Sequence, residues 1–213
     1  MSRIVEQDIE DAALEILQGD LGYEYVHGSE IAPDGPKPER KRWDDVVLVG
    51  RLTEKLKKIN PVIPHEAIEL AVKDIVRIGG KEIVAGNEKF HKYLTEGFPV
   101  QYRTKEGIKD DILWIVDFDN PEENEFLVVN QYAIIEGEKH RRPDILVFVN
   151  GLPLGLIELK NPFAGEENKM DSAFKQIQTY KHEIPSIFNY NEVLVCSDGT
   201  FADAGTITGT REW

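Results

Sequence analysis

The feature that most constrains this chain is a pair of apolar segments separated by a turn sequence. Residues 145–149 and 154–159 are rich in aliphatic and β-branched side chains, and Asn150-Gly151 lies between them. An Asn-Gly pair between two apolar runs favours a β-hairpin, and strands that are apolar along their whole length belong in the middle of a sheet. The sequence therefore predicts a buried hairpin against which the rest of the chain packs.

Charged residues stand at one end of this hairpin. Asp144 precedes the first apolar segment, whereas Glu158 and Lys160 lie at the end of the second. Glu158 and Lys160 are two residues apart on one strand, so their side chains project from the same face. Since an unpaired buried carboxylate is costly, this end of the hairpin indicates either a metal site beside a lysine or an ion pair on an edge strand.

The register of the hairpin decides whether Asp144 can join Glu158. With a strict two-residue loop, Asp144 faces Ile157 and lies on the opposite face of the sheet from Glu158. A site that contains both carboxylates therefore requires an odd-numbered loop or a β-bulge, for which Gly151 and Pro153 are suitable.

Residues 1–97 are predicted to be mainly helical, because apolar residues recur there at helical spacing between Gly and Pro stop signals. Glu6 falls in the first turn of the first helix, where a carboxylate is favoured by the helix dipole. The predicted elements are a helix over 4–18, a short strand over 23–26, a helix capped by Asp44 or Asp45 and closed by Pro61, a helix from Pro64 to Gly79, and a helix over 87–96 capped by Asn87.

From residue 98 the pattern changes to that of strands. Strands are predicted over 98–103, 111–118, 125–135 and 192–196, and a helix over 167–183 follows the hairpin. Gln176 and Tyr180 lie four residues apart on that helix and therefore on one side of it. We expect one α/β domain over residues 1–213, with a mixed, twisted sheet flanked by helices and a helix-rich part before residue 98.

The formal net charge of −14 argues against a protein that coats nucleic acid nonspecifically, because neutralising phosphates requires clustered Lys and Arg. Basic residues do cluster at 139–142, however, which makes Arg141 and Arg142 candidates for contact with phosphate. No apolar run approaches the roughly 18 residues of a membrane span, and no secretory signal is apparent. We expect a cytoplasmic protein with no membrane partner, in which the single cysteine, Cys196, is a core residue.

The carboxylates could hold a hard divalent cation such as Mg²⁺, with a main-chain carbonyl near Leu159 and water completing the shell. Such an ion stabilises charge on a phosphate and lowers the pKa of bound water. Lys160 could orient the attacking water, help deprotonate it, or neutralise charge that develops on the phosphate. Gln176 could donate to a phosphate oxygen, and Tyr180 could stack on or bond the nucleic-acid backbone.

This combination resembles a known family. Pro143-Asp144 followed by Glu158-Leu159-Lys160 resembles the PD-(D/E)xK nuclease motif, and Gln176-x-x-x-Tyr180 resembles the accessory motif of its RecB-like branch. Four segments, taken in order, resemble the N-terminal endonuclease domain of the R subunit of type I restriction enzymes: 94–100, 142–154, 157–162 and 197–200.

The resemblance implies a restriction-endonuclease-like fold and Mg²⁺-dependent cleavage of double-stranded DNA, with Mn²⁺ as a possible substitute. It implies a complex with methyltransferase and specificity subunits. By matching positions, Asp144 and Glu158 bind metal, Lys160 is catalytic, and Gln176 and Tyr180 support DNA engagement. Glu6 matches a first-helix acid of such nucleases less securely.

Family members continue into an ATP-driven, helicase-like motor, but this chain has no Gly-x-x-x-x-Gly-Lys-[Ser/Thr] phosphate loop. We therefore expect a truncated piece of a longer subunit that uses ATP only through the absent motor. Two alternatives remain open from the sequence. One is a stand-alone structure-specific or repair nuclease, and the other is a non-catalytic docking domain of the restriction complex.

Overall fold

The computed structural model describes residues 5–79, 82–161 and 169–210. Five α-helices occur in these ranges, and a π-helical segment, Ile16–Asp20, extends the first one. The helices are α1 (Glu6–Glu15), α2 (Val49–Ile59), α3 (His65–Ile75), α4 (Ile83–Glu96) and α5 (Lys169–Glu183). Short 3₁₀ helices lie at Pro121–Glu123 and Pro185–Asn189.

The strands form one large sheet and two small antiparallel pairs. They are β1 (Glu24–His27), β2 (Phe98–Thr104), β3 (Gly107–Leu113), β4 (Phe126–Asn130), β5 (Ile134–Glu136), β6 (Lys139–Arg141), β7 (Ile145–Val149), β8 (Leu152–Leu159), β9 (Val193–Ser197) and β10 (Ala202–Gly205). The large sheet has the order β1-β4-β7-β8-β9-β10, and the pairs are β2-β3 and β5-β6. β1 with β4 and β8 with β9 run parallel, whereas the other neighbours in the large sheet are antiparallel.

Helices cover both faces of the large sheet, which confirms the predicted mixed sheet flanked by helices. One face packs on the main core, to which α2, α3, α4 and α5 contribute residues such as Leu52, Ile68, Phe90 and Ile177. The other face carries a smaller cluster in which Leu14 of α1 meets Val128, Ile145 and Leu159. Adjacent strand residues belong to different clusters because successive side chains point to opposite faces.

Two predicted helix caps are wrong. α2 begins at Val49, and the side chain of Asp45 instead accepts hydrogen bonds from the main-chain N–H groups of Lys41 and Arg42. α4 begins at Ile83, so Asn87 lies inside the helix, where its amide donates to the main-chain oxygens of Phe188 and Asn191. In both cases a side chain with capping chemistry satisfies other backbone groups.

Several strand boundaries also differ from the predictions. The strand predicted over 111–118 begins at Gly107 and ends at Leu113, and the one predicted over 125–135 is split by Gln131, whose φ is 54°. β6 and β10 were not predicted. β1 pairs with β4, so the helix-rich first part of the chain contributes a strand to the large sheet.

The prediction that Cys196 is a core residue is confirmed. Cys196 is buried in β9 as a core residue, and burial raises the pKa of its thiol to about 11. The start of the helix predicted over 167–183 lies outside the described residues, as does residue 4 of the first helix. Within the described ranges, no helix has the length and apolar character required to cross a membrane.

Candidate active site

A β-bulge sets the register of the β7–β8 hairpin. Val149 pairs with Leu152 and Phe148 with Pro153, but Val147 pairs with Gly155, so Leu154 is an extra residue in β8. The carbonyl oxygen of Leu154 accepts hydrogen bonds from the main-chain N–H of Glu192 (2.8 Å) and the side chain of Asn191 (3.2 Å), just before β9. The residues just before β9 therefore form hydrogen bonds with the bulged residue of β8.

The bulge brings the two carboxylates to the same face. Beyond it Ile145 pairs with Ile157, and continuing this register places Asp144 opposite Glu158. The requirement for a bulge is therefore met, one residue beyond Pro153. If Leu154 were paired with Val147 in a regular ladder instead, Asp144 would lie opposite Ile157, on the other face from Glu158.

The turn itself is fixed by buried contacts. Asn150 and Gly151 both have positive φ, 53° and 82°, as the mirror-image hairpin turn requires. The Asn150 side chain donates to the main-chain oxygen of Ile115 (2.9 Å) and accepts from the N–H of Glu125 (2.8 Å). Asn150 is therefore both a turn former and a fully buried anchor.

Hydrogen bonds connect the three charged residues of the candidate site. The main-chain N–H of Leu159 donates to Asp144 Oδ2 at 2.7 Å. Lys160 Nζ donates to Glu158 Oε1 at 2.8 Å and to the Leu159 carbonyl oxygen at 3.0 Å. The Lys160 ammonium group thus contacts a carboxylate oxygen and a carbonyl oxygen at the end of β8.

The Glu158 carboxylate is in an electrostatically unfavourable place. Its side chain is 0% exposed, and burial together with the nearby Asp144 carboxylate raises its pKa to about 8. Burial likewise raises the pKa of Asp144. Burial alone would lower the pKa of Lys160, but the carboxylates of Glu158, Asp144 and Glu6 raise it. The site therefore holds a charged lysine beside two carboxylates that resist ionisation.

Gln176 and Tyr180 of α5 reach the same site. Gln176 Nε2 donates to the Tyr180 hydroxyl oxygen at 2.6 Å, and the pKa of Tyr180 is raised by burial and by the neighbouring Glu158. Tyr180 is only 2% exposed. A buried ring cannot stack on a DNA base, so its position fits a role beside Glu158 better than the stacking role considered from the sequence.

Two acids of α1 approach the site, although only Glu6 was considered from the sequence. Glu6 Oε1 lies 3.7 Å from Lys160 Nζ and its side chain is 52% exposed. Glu10 is 4% exposed and accepts hydrogen bonds from the side-chain amides of Asn130 (2.7 Å) and Gln131 (2.9 Å). Glu10 could have been noticed because it precedes the apolar Leu14 by one helical turn and so falls on the buried face of the helix.

The two arginines before Asp144 differ in their environment. Arg141 Nε donates to Glu183 Oε2 in a close ion pair, so α5 neutralises its charge. Arg142 is exposed and makes no ion pair within the described ranges. Of these two arginines, Arg142 is therefore the one whose charge has no ion-pair partner among the described residues.

The donor atoms suit a hard cation. Among the described residues, no three His, Cys, Asp or Glu side chains converge as a metal-ligand group, but Mg²⁺ is usually bound by only one or two carboxylates with water. Asp144 and Glu158 supply that number, and Glu158 Oε2 is buried without a hydrogen-bond partner in the described part of the chain. The chemistry of this pair fits Mg²⁺ or Mn²⁺ rather than a thiolate or imidazole metal.

Comparisons with known proteins show the family to which the chain belongs. A family model described as Type I restriction enzyme R protein N terminus matches residues 3–213. The HindI type I restriction enzyme endonuclease subunit of Haemophilus influenzae is 38% identical over 204 residues, which are 95% of this chain and 19% of that protein.

A second relative, from Methanocaldococcus jannaschii, is provisionally named the endonuclease subunit of type I restriction enzyme MjaIXP. It is 32% identical over 208 residues, which are 96% of this chain and 19% of that protein. The chain thus spans about a fifth of the length of these curated relatives. Because the family model covers almost all of it, the chain belongs to the family of type I restriction enzyme R protein N-terminal regions.

Proposed function

We propose that this chain is the nuclease module of a type I restriction complex and cleaves double-stranded DNA with Mg²⁺, or with Mn²⁺ in its place. The observation that carries the proposal is the bulge at Leu154, which aligns Asp144 with Glu158 beside Lys160. Family membership supports the assignment, because relatives that match nearly the whole chain are named endonuclease subunits.

In this proposal Asp144 and Glu158 hold the metal, with the Leu159 carbonyl oxygen as a further ligand atom. When bound, the ion supplies Lewis-acid stabilisation of charge on the phosphate being cleaved. The unpaired Glu158 Oε2 is an atom for which a metal provides the missing partner. The hydrogen bond from the Leu159 N–H fixes the orientation of the Asp144 carboxylate.

Lys160 acts as a charged donor in the proposed reaction. The surrounding carboxylates raise its pKa, so the ammonium form persists at neutral pH and is poorly suited to removing a proton from water. It instead orients the attacking water and neutralises charge on the phosphate. Tyr180, supported by Gln176, keeps the buried Glu158 carboxylate in position.

The same proposal extends to the domain organisation of the chain and to the restriction complex in which it works. The chain constitutes one domain with a PD-(D/E)xK core, and it works with methyltransferase and specificity subunits and with an ATP-driven motor outside the present chain. The buried core shared by helices and sheet supports the single domain.

A cleavage assay with the complete restriction complex tests the proposal. Changing Asp144→Ala or Lys160→Ala in the R subunit should reduce DNA cleavage at least about a hundredfold and leave ATP-driven translocation unchanged. Lys105→Ala, at an exposed turn in the β2–β3 hairpin, is the matched control and should cleave normally. Full cleavage by either active-site variant would refute the assignment and favour a non-catalytic docking role.

A further inference from the structure

A cavity of about 610 Å³ lies beside the candidate active site. His27 at the end of β1, Gln131 after β4 and Arg142 before Asp144 all line it. The main-chain N–H of Gln131 donates to the Asp144 carbonyl oxygen at 3.0 Å, and its side chain donates to Glu10 at 2.9 Å. Gln131 therefore lines the cavity and is also hydrogen-bonded to residues of the candidate active site.

Several side chains in the lining of the cavity can donate hydrogen bonds. His27 Nδ1 contacts the Ser29 hydroxyl oxygen at 2.7 Å and accepts from the Ser29 N–H at 3.2 Å, whereas its Nε2 has no hydrogen-bond partner among the described residues. The side chains of His140 and Arg142 are exposed and make no hydrogen bond or ion pair with other described residues. These groups form a surface that offers hydrogen-bond donors and the unpaired charge of Arg142, on a chain whose net charge is −14.

Two other charged residues and one aromatic ring also line the cavity. Arg141 is already paired with Glu183, and Asp34 is the acidic residue of the wall. The half-buried Trp43 ring has the Arg40 guanidinium 5.3 Å from its centre, which restricts its orientation. The cavity thus offers an aromatic surface as well as donors.

We propose that this cavity binds a phosphate of the DNA strand adjacent to the phosphate that is cleaved, through Arg142, His27 and His140, with Trp43 against the attached nucleoside. The inference rests on the proposed function. Arg142 and Asp144 are two residues apart, which corresponds to at most about 7 Å of extended chain and is comparable with the spacing of neighbouring phosphates along one strand. Such contacts fix the position of the backbone without reading its sequence.

The same donors could bind a free phosphate or a mononucleotide, and titration of the isotope-labelled chain distinguishes these ligands. NMR spectra are recorded at low salt in EDTA, with a short DNA duplex, inorganic phosphate or AMP added separately. We expect the duplex to shift the Trp43 indole N–H and the amides of Ser29 and Gln131 with the same Kd as the amides of Glu158 and Lys160. Phosphate and AMP should shift the cavity signals only at much higher concentrations.

Variants provide a second readout. Arg142→Ala and His140→Ala remove exposed side chains, so the fold should tolerate both. Loss of one phosphate contact should reduce the slope of log affinity against log salt by about 1 for Arg142→Ala. Arg103→Ala removes an exposed arginine on β2, away from the cavity, and should leave the slope unchanged.

The outcomes separate this inference from the proposed function. If the duplex shifts signals at Glu158 and Lys160 but not at the cavity, the inference is wrong and the nuclease assignment stands. If AMP or phosphate binds the cavity as tightly as the duplex, the cavity is a site for small anions and the inference is overturned. If the duplex shifts neither set of signals, the result counts against both proposals.

Discussion

Glu10 connects α1 to the end of β4 through both of its carboxylate oxygens. Asn130, one of its two partners, also accepts a hydrogen bond from the Tyr25 hydroxyl through its side-chain oxygen. This chain of contacts lies beside Asp144, because Gln131 also donates to the Asp144 carbonyl oxygen. At the scale of single residues, Glu10 therefore fixes the backbone next to the candidate site, whereas Glu6 makes only a longer, exposed contact with Lys160.

Substituting the two acids should separate these roles. Glu10→Ala leaves the amides of Asn130 and Gln131 without their acceptors, which should lower the free energy of unfolding by about 2 kcal/mol. Glu6→Ala removes an exposed ion pair and should change it by less than about 0.5 kcal/mol. Urea denaturation of both variants, followed by circular dichroism, measures the difference. Equal losses of unfolding free energy in the two variants would show that the buried contacts of Glu10 stabilise the fold no more than the exposed contact of Glu6 does.

At the scale of elements, the β8 bulge determines which side chains share a face. Deleting Leu154 would remove the bulge and give a regular two-residue hairpin in which Val147 still pairs with Gly155 and Asp144 still lies opposite Glu158. We expect the deletion variant to keep its stabilisation by Mg²⁺ or Mn²⁺, which is about 1.4 kcal/mol when the ion is present at ten times its Kd. Its Tm without metal should fall, because Asn191 and the Glu192 N–H lose the Leu154 carbonyl oxygen as acceptor. Melting temperatures with metal and with chelator measure the effect.

Leu154→Ala is the matched control for this deletion. It removes a half-buried side chain but retains the extra residue and its carbonyl oxygen, so the metal-dependent increase in Tm should remain even if the overall Tm falls. Circular dichroism establishes that each variant is folded before metal is added. A folded deletion variant that no longer responds to metal would show that aligning Asp144 with Glu158 is not sufficient for the metal site.

The sequence predicts much of this hairpin, because its signals are local. The apolar runs and Asn150-Gly151 indicate two strands and a turn, and the side-chain period shows that a bulge is needed if Asp144 is to join Glu158. The position of the bulge depends on Asn191, which binds the Leu154 carbonyl oxygen from a segment distant in sequence. The false caps at Asp45 and Asn87 have the same origin, since tertiary partners compete successfully for side chains with capping chemistry.

At the scale of the molecule, the helices and the sheet share one buried core. Residues of α2, α3 and α4 share the main core with residues of β4, β7 and β8. At the surface, Arg51 of α2 makes salt bridges with Glu24 of β1 (2.8 Å), Glu39 (2.6 Å) and Glu125 (3.0 Å). One arginine therefore holds together three acidic segments of a strongly acidic chain.

Arg51→Ala should destabilise the whole domain, because it leaves three neighbouring carboxylates without their shared cation. Since the Arg51 side chain is 17% exposed, we expect a loss of about 1–3 kcal/mol at low ionic strength. The loss should be smaller near 1 M salt, where the screening length falls to about 3 Å and carboxylate repulsion weakens.

Arg42→Ala, at an exposed side chain paired with Asp44, is the control and should lower the free energy of unfolding much less than Arg51→Ala does. Scanning calorimetry at two salt concentrations tests both variants. A single transition in each is expected, because the helices and the sheet share one core and should unfold together. If Arg51→Ala instead produced two transitions, with the helical part melting first, residues 1–97 would be a separate folding unit and the single-domain proposal would fail.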